Sequence, residues 1–328
     1  MESSLINPLV VVRDIHLAST VVVAGIIFFD LFVVGPVWRM KPPFRATQSR
    51  FQSSGRIILL LSLALSIASA LAWLVLLSMR IGHKNVGEVV TDGTIRLVLS
   101  QTQFGLAWQL RLLLGVLLAA CLLWRGTTSS GQLADRLTVC AGLFAAAYLG
   151  SLAFAGHGAE GLGFAQDIHL VADSLHLIAA GLWLGALVPL VLLLVYLWRY
   201  QEDGWALAAA RAGSRFSTLG ILAVSILLVS GTINAAFLLD GMHSLIDTDY
   251  GRPLLLKVVL ATGMVGLAGI NRQYLLPRLF DCPEAASGTV QKLVRSALVE
   301  IALGIAIICI VGVLGTMPPA NEMVAHMH

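Results

Sequence analysis

The sequence predicts an all-α integral membrane protein: a bundle of eight transmembrane helices with both termini on the outer face. Three observations predict it. Of the 328 residues, 58% are hydrophobic and 12% charged, against about 25% charged in an ordinary soluble domain. The mean hydropathy is +0.87. Apolar runs of roughly 20 residues, each long enough to cross a hydrocarbon core of about 30 Å, recur along the whole length and leave no stretch for a sizeable soluble domain.

The first run, about 16–37, follows MESSLINPLVVVRD, which lacks a basic leader region and opens an apolar stretch too long for a signal peptide. A cleaved leader is therefore not expected. Runs at about 56–79, 103–124 and 136–156 follow with short polar links. The fifth run, about 168–198, is the longest; Trp183 and Pro189 within it predict a packed, kinked helix. Runs at about 216–239, 253–275 and 293–315 complete the set. The chain reads as one transmembrane domain over 1–328, ending in a short Met/His-rich tail over 316–328.

Orientation follows from Lys and Arg in the short links. The links after runs 1, 3, 5 and 7 hold Arg39, Lys41, Arg45, Arg50, Arg56, Arg125, Arg136, Arg199, Arg211, Arg215, Arg272, Arg278, Lys292 and Arg295. The other side holds Arg13, Arg80, Lys84, Arg96 and Arg252, while Arg111 and Lys257 sit inside runs. Fourteen against five puts the odd-numbered links in the cytoplasm. The net charge of +3 is too small to carry the argument by itself.

With that orientation, all eight histidines (His16, His83, His157, His169, His176, His243, His326 and His328) fall on the outer side or in the outer part of a run. Met79, Met242, Met317, Met323 and Met327 join them. Cys121, Cys140 and Cys282 lie toward the inner side and Cys309 within the last run. None sits in an outer loop where a disulfide would form, no CxxC is present, and the four read as packing residues.

The stretch DIHLVADSLH (167–176) sets imidazoles and carboxylates at the mouth of the fifth run. On a helix, His169, Asp173 and His176 share one face. The two histidines stand roughly 10 Å apart along the axis, too far to clamp one ion between them. His169 with Asp173, or Asp173 with His176, are adjacent pairs. Asp173 reads equally as a metal ligand, as a group orienting an imidazole, or as an ion-pair partner of Arg111 or Lys257. Ionisable groups inside a membrane are functional candidates because of their cost.

Beside this stripe, AGHGAEGLG (155–163) supplies His157 and Glu160 in a glycine-rich outer loop, and His16 opens the first run behind Arg13 and Asp14. The tail PPANEMVAHMH adds His326, Met327 and His328 after Met317, soft and borderline ligands that suit copper. Deeper, Asp30 and Glu300 lie near 10 Å from the cytoplasmic boundary, at a depth where two carboxylates can share a proton or pass a cation, or pair with Arg56, Arg272 or Arg295.

A family resemblance rests on TQFGLAWQLR, GHG, HLVADSLHLIAAGLWLGAL, RFSTLG, VSGTINA, YGRPLLLKVVL, NRQYLLP and LVEIALG. In this order they resemble the copper resistance D (CopD) family of membrane proteins, from roughly Arg13 to Pro319. The resemblance implies an eight-span bacterial inner-membrane protein that handles copper, usually with a periplasmic CopC-like copper-binding partner. It also implies His16, His157, His169 and His176 as matches to the outer-side motifs. Beyond His176, only scattered Met264, Cys309, Cys121 and Cys140 continue inward, where a cuprous path would be expected to hold stacked thiols or thioethers.

Three functional classes stay open on the sequence. The first is copper transport without an ATPase signature, since the sequence holds no GxxxxGK[ST] loop. The second is a redox protein holding one b-type haem near the outer face, with His16 opposite His169 or His176 as axial ligands. The third is a copper sensor or scaffold that binds metal outside without passing it. The expected surroundings are a lipid bilayer, with no nucleic acid.

Overall fold

The computed structural model describes residues 7–38, 44–128, 130–156 and 163–318. His157, Glu160, Met323, His326, Met327 and His328 lie outside the described residues. All eight expected helices are present: span 1 (Pro8–Trp38), span 2 (Arg45–Gly82), span 3 (Gln103–Thr127), span 4 (Gly131–Ala155), span 5 (Phe164–Tyr200), span 6 (Trp205–Leu238), span 7 (Gly251–Asp281) and span 8 (Ala286–Leu314). In lipid every backbone amide needs an internal partner, which is why each apolar run closes as a helix.

The helices run past the apolar boundaries because polar side chains cap them. Asn7 accepts from the Leu9 amide at 3.0 Å with Pro8 at the first helical position. Thr102 accepts from the Gly105 amide at 3.0 Å at the start of span 3. Glu202, in the link between spans 5 and 6, accepts from the Ala46 and Thr47 amides at 3.0 and 2.9 Å and from the Thr47 hydroxyl at 2.7 Å. Desolvation pushes the Glu202 carboxyl up, but these hydrogen bonds together hold it below its usual range.

Spans 1 and 5 form the centre. Span 1 packs against spans 2, 4, 5 and 8, and span 5 against spans 1, 4, 6 and 8. They approach backbone to backbone: a Cβ on Gly25 would coincide with the backbone of Gly185, and one on Gly185 with the Val21 carbonyl. Lipid tails are as apolar as leucine, so such small-residue contacts rather than hydrophobic burial hold membrane helices together. Spans 6 and 7 lie at the periphery, where Ile221, Leu222, Val258 and Val259 remain exposed.

Three spans are interrupted by a π-turn: Asp30–Val34 in span 1, Gly181–Gly185 in span 5 and Asn271–Leu275 in span 7. Each ends within a helical turn of a following proline, two residues before Pro36 and Pro277 and four before Pro189. Proline lacks an amide hydrogen and crowds the carbonyl four residues back, so the helix widens ahead of it. The expected kink at Pro189 takes this form. The carbonyl of Phe32, which residue 36 would otherwise bond, accepts from Arg215 Nε at 3.0 Å.

Candidate functional site

The central span 5 carries its polar stripe to one end of the bundle. His169, Asp173 and His176 line a single cavity of about 190 Å³ at the end where the described histidines gather. The far walls come from Arg13 and Asp14 of span 1, Trp73 of span 2, Asn234 of span 6, Tyr250 and Lys257 at and within span 7, Gly312 of span 8 and Gly315 just past its end. The helical spacing thus places all three stripe residues on one face, as expected.

Each stripe residue is held by a neighbour. His176 Nδ1 lies 3.0 Å from the Ser230 hydroxyl. That hydroxyl donates to the Ile226 carbonyl at 2.6 Å, so its lone pair faces the imidazole. The network therefore assigns the proton of neutral His176 to Nδ1 and leaves Nε2 basic. His169, 7% exposed, stacks on Phe237 with ring centroids 4.8 Å apart and planes 8° from parallel. Asp173 accepts from Asn234 Nδ2 at 3.3 Å, and its charge acts on Lys257 and on the Tyr250 hydroxyl. Arg111, the other expected partner, turns away and donates through Nη2 to the Ser151 carbonyl at 3.0 Å.

His16 takes a different place. Its ring is fully buried behind Trp73, 5.8 Å between centroids, and does not line the cavity. Its Nδ1 lies 2.9 Å from the Ser66 carbonyl, an acceptor, so this nitrogen carries the proton and the unpartnered Nε2 does not. Ser66 continues the chain to Tyr148 at 2.7 Å and Thr20 at 3.0 Å. Arg13 and Arg111 both stand over Trp73, 5.2 and 5.7 Å from the ring centroid, a cation–π arrangement that shelters two guanidinium groups in low dielectric. An axial haem pair of His16 with His169 or His176 gains no support from this placement.

Among the remaining candidates, Met317 packs against Tyr250 and Leu314 beside the cavity. Asp30 pairs with Arg125 at 2.7 Å rather than with Arg56, Arg272 or Arg295. Glu300, 2% exposed, accepts from Asn271 Nδ2 at 2.9 Å. The two acids line separate cavities and do not face one another. Residues that sequence reasoning did not single out include Ser230, Asn234, Tyr250 and Phe237. Ser230 and Asn234 lie in VSGTINA and Tyr250 in YGRPLLLKVVL, two of the stretches carrying the family resemblance, and both stretches contribute to the cavity wall. Among the described residues, no group of three or more His, Cys, Asp or Glu side chains converges on a common centre that could hold a metal ion.

The sequence profile described as copper resistance protein D matches residues 210–314, and that described as copper resistance protein D-like, N-terminal domain, matches residues 2–167. The chain belongs to the copper resistance D family. Relatives in it include the copper transport protein CutJ of Bacillus subtilis (strain 168), 32% identical over 72% of this chain and 41% of that protein. The chain thus matches well under half the length of that relative. The inner membrane protein YebZ of Escherichia coli (strain K12) is 32% identical over 67% of this chain and 70% of its own. Copper resistance protein D of Pseudomonas syringae pv. tomato is 29% identical over 69% and 72%. No solved structure matches the chain. Family membership and the eight spans make this a multi-pass membrane protein with a copper-related function.

Proposed function

We propose that the protein binds copper at its histidine-bearing, periplasmic end and carries it across the inner membrane to the arginine-rich, cytoplasmic end, contributing to copper resistance. The observation that carries this reading is the cavity lined together by His169, Asp173 and His176, with the His176 Nε2 lone pair left available by Ser230. Imidazole suits either copper state. A site that passes its ion onward must bind it weakly enough to release it. A relative named as a copper transport protein supports the same reading.

In this reading His157 of the neighbouring loop completes the coordination, and Met317, His326, Met327 and His328 capture the ion before it enters. A periplasmic CopC-like protein delivers it. His16, enclosed behind Trp73 and close to the Arg111 charge, supports span packing rather than the ion. The test is copper uptake into proteoliposomes. The double variant His169→Ala/His176→Ala is expected to abolish uptake while eluting as a folded protein; undiminished uptake would remove the cavity from the pathway.

A further inference from the structure

A second polar centre lies in the other half of the bundle, and the copper cavity does not use it. Glu300 is 2% exposed in the middle of span 8. Its Oε1 accepts from Asn271 Nδ2 at 2.9 Å and the Trp183 indole N–H is directed at the carboxyl, while neither Oε2 nor the Asn271 Oδ1 meets a donor at full hydrogen-bond geometry. Both atoms are acceptors as placed. They border a cavity of about 230 Å³ whose polar wall also includes Ser217, Arg272 and Trp183. Leaving such atoms unmet in low dielectric is costly, so the group that answers them must bring positive charge or a donated hydrogen.

The charged surroundings narrow the choice. From span 7 the wall carries Arg272, but its Nη1 donates to the Ser217 hydroxyl at 2.8 Å. Spans 5 and 6 bring no charged group to this cavity. Asp30 of span 1 faces a different cavity and is paired with Arg125. Among the described residues, Glu300 is thus the sole carboxyl on this wall. It has too few oxygen neighbours for the six or more ligands a hard metal cation takes. A single proton on Oε2 meets the need.

The local helical backbone is irregular at this point. Asn271 begins one π-turn and Trp183 lies in another, and each turn precedes a proline. Such single-turn π segments gather at functional sites. Trp183 follows His176 by seven residues on the same span, roughly 10 Å along the axis. One central helix therefore touches both the histidine cavity and the Glu300 cavity.

We propose that Glu300, positioned by Asn271, is a proton-binding site whose loading and release accompany movement of the cation held at the histidine end, with span 5, interrupted between them by the π-turn at Gly181–Gly185, as the element both sites share. No bond other than the carboxyl O–H forms or breaks; the proton enters from and returns to water. The coupling clause rests on the transport reading above, whereas the proton site itself does not.

The first measurement needs no copper. Emission from Trp183 is followed as the detergent-purified protein is titrated with acid, the Trp183→Phe variant identifying its share of the signal. A single titration step is expected, lost in Glu300→Gln and kept in Asp30→Asn. Asn271→Ala is expected to fold and to shift the midpoint by about one pH unit, because one hydrogen bond to the carboxyl is gone. It serves if Glu300→Gln proves unstable. No step in the wild type, or a step that survives in Glu300→Gln and does not move in Asn271→Ala, overturns the site. A response to sodium at fixed pH would overturn it in favour of an alkali cation.

The second measurement loads proteoliposomes with a pH-sensitive dye and adds copper. Copper entry with proton movement in the wild type, and loss of proton movement in Glu300→Gln with copper binding at the histidine end retained, is the expected result. Copper entry without proton movement overturns the coupling and leaves transport standing. No copper entry under any imposed gradient overturns transport, and the coupling with it, while the acid titration still judges the proton site.

Discussion

The Ser230 hydroxyl accepts the Nδ1 proton of His176 at 3.0 Å because its own proton is committed to the Ile226 carbonyl at 2.6 Å. One hydroxyl on span 6 thereby decides which nitrogen of a span 5 histidine is basic. Groups that fix a ligating imidazole commonly alter metal affinity by 10- to 100-fold when removed.

Ser230→Ala is accordingly expected to weaken copper binding by about tenfold while leaving the protein folded. Copper titration monitored by quenching of Trp73, which lines the same cavity, gives the affinity. Unchanged affinity would mean that His176 does not touch the ion.

Lys257 and Asp173 border the cavity together, and the lysine opposes any cation that enters. Replacing it by glutamine is expected to raise copper affinity roughly three- to tenfold, since a like charge is removed from a low-dielectric space. Asp173→Asn is expected to lower it. Should both substitutions lower affinity, Asp173 acts as the counter-ion of Lys257 and not on copper.

The Gly25–Gly185 crossing leaves no room for a methyl group. Gly185→Ala is expected to destabilise the bundle by about 2 kcal/mol, because the backbones of spans 1 and 5 must separate. Thermal denaturation in detergent measures it against Gly220→Ala, where a Cβ meets nothing within 4 Å. Equal melting of the two variants would contradict the close approach.

Asp92 lies in the link between spans 2 and 3. Hydrogen bonds from the Lys84 ammonium and from the Thr94 side chain and amide pull its carboxyl from the ordinary 3.8 down to about 2. A depressed acid stabilises the fold fully above its unfolded value and loses that contribution as pH falls through the folded value. Protection of the Thr94 amide from hydrogen exchange should therefore hold above about pH 4 and vanish near pH 2. Asp92→Ala, which removes the acceptor oxygen, should lack the protection at pH 7 and show no such dependence.

Much of this architecture was readable from residue order. Eight apolar runs fixed eight helices, and the spacing of His169, Asp173 and His176 placed them on one face before any contact was known. The helix ends were not readable, because capping by Asn7, Thr102 and Glu202 depends on polar groups outside the apolar runs. The π-turns were half legible. Pro189 announced one, while Pro36 and Pro277 carried the same signal near the ends of their runs.

Sequence by itself determined the class of molecule, the number of crossings and which side chains share a helical face. These follow from hydrocarbon thickness and helical period, both local properties of the chain. Tertiary structure alone decided which faces meet. It sent Arg111 to Ser151, left Lys257 with Asp173, withdrew His16 behind Trp73, and separated Asp30 from Glu300. Those outcomes depend on how spans 1 and 5 cross at Gly25 and Gly185, and helices that already satisfy their own backbones leave that crossing to side-chain fit between distant segments.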